Sequence, residues 1–331
     1  MTELYVLTFE PILKEKVWGG RRLERLGKRL PPGANVGESW EIADLASTSV
    51  GGGGGGEARS VIAAGPLHGA TLRDAAAEWG PMLLGAAPAG PDGAFPLLVK
   101  YLDAREHLSV QVHPSPAYAS ANPGAHLKTE CWYVLDAEPG SVIFKGVKPG
   151  VGRDAFERAL RAGDGQGVVE LLGAVPAVAG DCHNLPSGTV HALGAGVLVA
   201  EVQTPSDTTF RVYDWAREYG RSGRGLHVEQ ALACIDFRPA DAATRGSNGR
   251  TLIRLAASDA YTVDELAPNA AHPCTPGVCT VVMCVRGGAR VEAHGREPVR
   301  LALGETALIP AALPSIVRTQ ADARALIVSL A

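Results

Sequence analysis

No apolar run in this sequence reaches the ~18 residues that a membrane-crossing helix needs. The opening Met1-Thr2-Glu3-Leu4 also lacks the basic-then-apolar start of a secretion signal. Basic blocks are missing too. Lys and Arg number 31 against 35 Asp and Glu, a net charge of −4, which argues against nucleic acid or an anionic membrane as a partner. The six cysteines, Cys131, Cys182, Cys234, Cys274, Cys279 and Cys284, form no Cys-x-x-Cys pair and read as reduced thiols of a cytoplasmic protein. Aromatic residues are scarce, whereas 40 Gly and 23 Pro make about one residue in five a turn former. That balance favours many short strands over long helices. A chain of 331 residues suggests roughly two domains, each able to hold a core without disulfides.

Gly51 to Gly56 is an unbroken glycine run, expected to be a flexible surface loop. No Gly-Lys-Ser or Gly-Lys-Thr follows it, so it is a poor phosphate cradle. Thr71 to Leu84 predicts a short helix, with Thr71 as cap, Asp74 in the first turn, and Leu72, Ala75, Ala76 and Trp79 at helical spacing. From Phe95 onward the rhythm turns to strands. Leu97 to Leu102 is a buried apolar run, and Leu108 to His113 alternates, with Ser109, Gln111 and His113 on one face. Cys131 to Leu135 and Ser141 to Phe144, around Glu138-Pro139-Gly140, are expected to form a hairpin. Asp154 to Leu172 interrupts the rhythm with two short helices around Gly163-Asp164-Gly165. Further strands are expected at Cys182–Leu185, Val190–Leu193, Val197–Val202, Thr251–Leu255, Val278–Val285, Ala289–Ala293, Ala307–Ile309 and Ala325–Leu330.

A faint repeat relates Cys131–Leu135 with Pro139-Gly140 to Val281–Val285 with Gly287-Gly288. It likewise relates Gly180-Asp181 with Leu185-Pro186 to Gly304-Glu305 with Ile309-Pro310. The spacing from Gly140 to Pro186 is 46 positions and from Gly288 to Pro310 it is 22, a difference of 24, about the length of the helical stretch. The fold expected is therefore mainly β: two related barrels, the first carrying a small helical insertion, with a short N-terminal helix before it. The domains would span residues 1–235 and 236–331.

Four metal-capable side chains fall among the strands of the first copy. Gln111 and His113 share a strand face, Glu130 immediately precedes the aromatic strand, and His191 lies in Pro186-Ser187-Gly188-Thr189-Val190-His191. Two histidines, a carboxylate and an amide oxygen converging inside a small barrel suit Zn²⁺, and also Fe²⁺ or Mn²⁺. Taken singly, each has a plain reading as a solvated or packed polar residue. Together, on one alternating face, they read as a metal centre. Five residues past Pro186 stands His191, whereas five past Pro310 stands Ser315, so the second copy is expected to be metal-free.

Several segments resemble type I mannose-6-phosphate isomerases, most closely the short bacterial form: Gln111-Val112-His113-Pro114, Lys128-Thr129-Glu130-Cys131-Trp132-Tyr133, Gly188–Leu193, Glu201-Val202-Gln203 and Ser206–Asp214. Pro11, Trp18-Gly19-Gly20 and Gly37–Ile42 fit as well, so the resemblance covers about residues 5 to 235. It implies two cupin (jelly-roll) barrels and one catalytic zinc per chain, held by Gln111, His113, Glu130 and His191. It also implies interconversion of mannose 6-phosphate and fructose 6-phosphate in a cytoplasmic monomer or weak homodimer. The family's polar active-site residues fall on Lys100, Ser109, Lys128, Glu201, Asp207 and Arg211. Departures stand out, among them the Gly51–Gly56 run in place of a more varied loop. Cys182-His183-Asn184 replaces apolar or aromatic residues, and Leu127 stands where a histidine often precedes the lysine, although His126 is next to it.

Such an isomerisation passes through an enediolate, so developing charge needs stabilisation and one group must shuttle a proton. Arg211 is permanently charged and suits stabilisation of the enediolate or of the phosphate. Lys128 and Glu201 are the two candidate shuttles, and the sequence does not choose between them. Ser109, Lys100, Asp207 and Arg217 are candidate substrate contacts, with the phosphate falling to Ser109, Lys100 or Arg217. Two other classes use similar residues: an Fe²⁺ cupin oxygenase and a non-catalytic sugar-binding cupin. The cationic set Lys100, Lys128 and Arg211 favours a phosphosugar over an apolar oxygenase substrate.

Overall fold

The computed structural model describes residues 2–49, 54–163, 165–246 and 249–331. Of the glycine run, Gly51–Gly53 lie outside the described residues, and Gly54–Gly56 are exposed. Antiparallel strands dominate. The first unit holds β1 (Leu98–Ala104), β2 (Val110–Val112), β3 (Glu130–Ala137), β4 (Val142–Val147), β5 (Leu172–Pro176), β6 (Asp181–Leu185), β7 (His191–Leu193) and β8 (Val197–Gln203). The second holds β9 (Tyr261–Leu266), β10 (Ala271–Pro273), β11 (Thr280–Arg286), β12 (Gly288–Ala293), β13 (Val299–Ala302), β14 (Thr306–Ile309), β15 (Ser315–Thr319) and β16 (Arg324–Leu330).

The pairings repeat in full. In the first unit β1–β8–β3–β6 form one ladder and β5–β4–β7–β2 another; in the second, β9–β16–β11–β14 and β13–β12–β15–β10 match them strand for strand. The helices Arg153–Arg161 and Gly165–Glu170 fall between β4 and β5, where the spacing of the repeat places an insertion. Strands from elsewhere then extend the ladders. Ile12–Gly20 and Val36–Ile42 add to the β1 edge, Phe210–Tyr213 to β2, and Leu252–Ala257 to β9. Leu7–Thr8 pairs with β14 and Thr244–Arg245 pairs with β6, so a short strand crosses between the units in each direction.

The expected hairpin at Cys131–Phe144 does not form. β3 pairs with β6 and β8, while β4 pairs with β5 and β7 in the other sheet. The Glu138-Pro139-Gly140 turn is a corner between sheets: Glu138 N–H donates to the Gly196 carbonyl rather than to its own partner strand. β11 and β12 cross in the same way. A local turn signal identifies a chain reversal but does not say whether the returning strand stays in its sheet.

The predicted helix also breaks. Leu72–Trp79 and Pro81–Leu84 are separate, with Gly80 at φ 49° between them. Pro81 has no N–H to continue the first ladder, and Gly80 takes a conformation that costs other residues. Thr71 closes a full capping box with Asp74: its hydroxyl accepts the Asp74 N–H at 3.2 Å, and the Thr71 N–H donates to the Asp74 carboxylate at 2.8 Å.

The alternation of β1, β3 and β8 decides where the core lies. Val99, Tyr101, Cys131, Tyr133, Ala200 and Val202 face the second unit and pack with Tyr261, Val263, Val281, Met283 and Val328. Residues of the opposite parity, including Lys100, Glu130, Trp132 and Glu201, face inward. Both faces of these strands are buried, which accounts for their near-continuous apolar reading.

Thr71→Ala should lower unfolding free energy by about 1 kcal/mol, with Thr71→Ser within a few tenths of the parent, as measured by urea titration.

Candidate active site

Two rows of side chains face one another inside the first unit. On one sheet the cross-strand partners run Trp40, Lys100, Glu201, Trp132, His183. On the other they run Arg211, Gln111, His191, Lys145. Between them opens a cavity of about 430 Å³, lined by Lys100, Ser109, Gln111, Lys128, Trp132, Glu201, Asp207 and Arg211 among others. Six scattered segments thus supply one site because their strands pair in a register that keeps these residues on the inner face.

At the inner end His113, Glu130 and His191 are buried, with ligand-capable atoms all within 4.8 Å of one another. His113 Nδ1 lies 3.0 Å from the Thr208 carbonyl and His191 Nδ1 lies 2.8 Å from the Thr189 carbonyl. A carbonyl only accepts, so both Nδ1 atoms carry the proton and both Nε2 atoms turn a lone pair inward. Those Nε2 atoms lie 3.4 and 3.1 Å from the two Glu130 oxygens. Burial and the Lys128 charge lower the His113 pKa to about 3, against the pull of Glu130, which keeps the ring neutral. The Gln111 carboxamide ends 3.3 Å from His191 Nε2, and an amide flip presents oxygen or nitrogen there.

Two imidazole Nε2 atoms and a carboxylate aimed at one spot make a site that a cation completes. Lys128 supplies positive charge at its edge, with Nζ 3.1 Å from His113 Nε2 and in contact with a Glu130 oxygen. Burial alone would raise the Glu130 carboxyl, but the Lys128 ammonium beside it outweighs this and holds it well below the usual range. Glu130 Oε1 is buried without a hydrogen-bond donor. The donor set, two imidazoles with fixed tautomers, a carboxylate and a nearby amide, fits a divalent cation.

The cavity wall is a second charged network. Lys100 Nζ lies 3.1 Å from Glu201 and 3.5 Å from Glu38, and Lys16 pairs with Glu38 at 3.2 Å. Trp132 Nε1 donates to Glu201 at 2.8 Å, and Trp40 Nε1 donates to Glu38 at 2.6 Å. The Trp40 ring lies between the ammonium groups of Lys14 and Lys100, at 4.9 and 5.0 Å. Burial would lower the Lys100 pKa, but Glu201 and Glu38 overcome it and raise it. Burial would raise Glu38, but Lys100 and Lys16 bring it down to about 2.

Across the cavity Arg211 is held by its backbone and one guanidinium nitrogen. Its N–H donates to His227 Nδ1 at 3.0 Å, and Nη1 donates to the Gly225 carbonyl at 2.9 Å. Its Nε is buried without a partner. Asp207 accepts the Ser49 N–H at the rim.

The family model for the catalytic domain of type I phosphomannose isomerase matches residues 6–144. A mannose-6-phosphate isomerase of Streptococcus mutans is 37% identical over 233 residues, 70% of this chain and 68% of that protein. A Bacillus subtilis mannose-6-phosphate isomerase is 35% identical over 232 residues, again 70% of this chain and 68% of that protein. The crystal structure of a mannose 6-phosphate isomerase from Bacillus subtilis superposes with a TM-score of 0.80 at 29% identity, covering 98% of this chain and 99% of that one. The chain belongs to the type I phosphomannose isomerase family.

Against that family background the cavity gathers Lys100, Ser109, Gln111, Lys128, Glu201, Asp207 and Arg211, with His113, Glu130 and His191 at its inner end. Arg217 is not gathered. It sits exposed on the turn Trp215–Arg217, because the chain leaves the β2 edge at Tyr213 and turns outward. Nor is His126, which lines a separate pocket beside Asp44 and Ser206, while Leu127 is exposed. The departing Cys182-His183-Asn184 splits by parity: Cys182 packs toward the second unit, and His183 lies buried beside Trp132.

Glu38, Lys16, Arg224 and His227 also line the cavity, though sequence reasoning did not single them out as site residues. The one available signal was for Glu38, within the family-like Gly37–Ile42 segment. Arg224 and His227 arrive on a glycine-rich loop, where Arg224 is tied to Asp214 at 2.9 Å.

Glu38 carries a pH prediction. Its folded pKa of about 2 lies below the ordinary 4.5, so ionised Glu38 contributes stability above pH 4.5 that is lost as pH falls toward 2. Glu38→Gln should therefore cost about 3 kcal/mol at neutral pH. The gap between variant and parent should narrow as the pH is taken below about 4.5. Denaturant titrations at pH 7, 5 and 4 check this, and a gap independent of pH would refute it.

Proposed function

We propose that the protein interconverts mannose 6-phosphate and fructose 6-phosphate using one Zn²⁺ per chain, held by Gln111, His113, Glu130 and His191. The observation that carries this reading is the buried cluster of three inward-turned lone-pair donors at the end of a cavity whose walls bring Lys100, Lys128 and Arg211 together. Family membership supplies the substrate. The paired ladders are read as two cupin barrels, a catalytic domain over residues 1–235 and a metal-free one over 236–331. Six free cysteines and the absence of any described helix long and apolar enough to cross a membrane are compatible with a cytoplasmic setting.

Bound at this site, Zn²⁺ supplies Lewis-acid polarisation of a substrate oxygen. The chain's own residues do the rest. Glu201 accepts from Trp132 through one oxygen and lies 3.1 Å from Lys100 Nζ through the other, so we assign it to holding Lys100 in place. Lys128 is left as the proton carrier between C2 and C1, at the wall beside His113. Arg211 offers its unpartnered Nε and the rest of its planar fork to the two oxygens that share charge in the enediolate. Lys100, Ser109 and Asp207 bind the sugar and its phosphate. The cavity walls exclude bulk water, which strengthens each of these interactions.

A coupled assay on mannose 6-phosphate should show activity that is lost on dialysis against a chelator and restored by zinc. His113→Ala should reduce bound zinc and turnover together, by at least about 100-fold in turnover. A purified variant with full zinc content and normal turnover would refute the ligand assignment. Bound iron with oxygen uptake would point to an oxygenase instead.

Arg211→Lys keeps the charge but loses the fork, and should lower kcat by about 10- to 100-fold with little change in KM. A raised KM with kcat intact would move Arg211 to the phosphate.

A further inference from the structure

In the second unit the sheet β13–β12–β15–β10 carries its charged residues on the side away from the core. Ala289, Val291, Leu301 and Val317 fill a dry core between its two sheets. The alternate residues point outward, and three of them are arginines in one cross-strand row. Arg318 pairs with Arg290, and Arg290 pairs with Arg300, with Ala271 continuing the row beyond Arg318. Like charges directly opposite one another destabilise a sheet, so such a row asks for a counter-charge. Glu292 supplies one, 2.7 Å from Arg290 and 2.8 Å from Arg318. Arg300 has no carboxylate partner among the described residues.

Beside the row the sheet surface is hollow. Gly288 pairs with Ala302, and Gln320 and Asn269 follow across the same edge. A Cβ built on Gly288 would lie 2.7 Å from Gln320 Oε1, so the carboxamide rests against the bare Gly288 backbone. The resulting cleft has a volume of about 640 Å³, and none of its lining residues is acidic. Glu305 and Asp322 sit outside the lining, the first bonded to the Ala302 amide and the second against Gly287.

We propose that this cleft is a second ligand site, distinct from the isomerase cavity, which binds the dianionic phosphate of a small phosphorylated metabolite through Arg290, Arg300 and Arg318. Guanidinium forks match phosphate oxygens two at a time. The volume is that of a small-molecule pocket, and Asn269 and Gln320 line it with polar groups that hydroxyl groups could meet.

The test titrates the zinc-loaded full chain with inorganic phosphate, and separately with glycerol 3-phosphate, by calorimetry at low ionic strength. The parent should bind two equivalents, one in each site. Arg300→Gln should weaken one of the two at least about tenfold. Arg300→Glu should abolish it while leaving isomerase activity, and the competitive inhibition of that activity by phosphate, unchanged. Because Arg300→Glu replaces a repulsive pair with an attractive one, its melting temperature should match or exceed that of the parent. Tighter binding of glycerol 3-phosphate than of phosphate at the lost site would identify an organic ester as the ligand, and the reverse would identify the free anion. One equivalent in the parent, or two unchanged in a folded Arg300 variant, would overturn the proposal.

Discussion

A fully buried carboxylate needs positive charge beside it, and Glu130 has the Lys128 ammonium in contact with one of its oxygens. It is fully buried, its neighbours His113 and His191 turn lone pairs toward it, and its Oε1 receives no hydrogen bond. Moving a bare carboxylate from water into such a place costs several kcal/mol even after relaxation. The surrounding architecture answers that cost. Backbone carbonyls of Thr189 and Thr208 fix the imidazole tautomers, and Lys128 brings an ammonium to the edge. Every other feature of the site is arranged around keeping these groups buried and paired.

The device that delivers them is strand register. Side chains alternate with a period of two, so a slip of one residue in β1, β3 or β8 would turn Lys100, Glu130, Trp132 and Glu201 toward the second unit. There they would displace Tyr101, Cys131, Tyr133 and Val202 from an apolar interface. Both faces of these strands are buried against different surroundings, which makes slippage doubly costly. The same packing that joins the two units therefore orients the catalytic face.

Much of this was legible in the residues. Gln111, His113, Glu130 and His191 were readable as a set because Gln111 and His113 share one alternating face and Glu130 and His191 border later strands of the same copy. The helical insertion followed from comparing spacings between the repeats. What escaped was information that sequence carries only nonlocally. The turn at Pro139-Gly140 signals a reversal but not the change of sheet. Glu38 and Lys16 reach the cavity because Ile12–Gly20 and Val36–Ile42 add to the β1 edge, a pairing between strands about 60 residues or more apart. Arg217 lies away from the cavity because the chain turns outward after Tyr213, which a single sequence segment does not announce.

The two units show what one pairing scheme permits. In each, the strands must bury one parity against the partner sheet. The first unit fills its interior with charge because the groups neutralise one another in pairs: Lys100 with Glu201, Lys128 with Glu130, and Lys16 with Glu38. In the second, one such pair stands on the inner parity among the described residues, Arg254 with Asp264. Ser315 opens the strand that corresponds to β7, where His191 stands in the first unit, and its hydroxyl is spent on the Leu313 carbonyl. On the β13–β12–β15–β10 sheet the arginines lie on the outer face, and there the partners are incomplete: three arginines share one glutamate. A closed polar interior must balance its charges to fold at all, whereas an outer face can remain unbalanced, because water carries the excess until a ligand does.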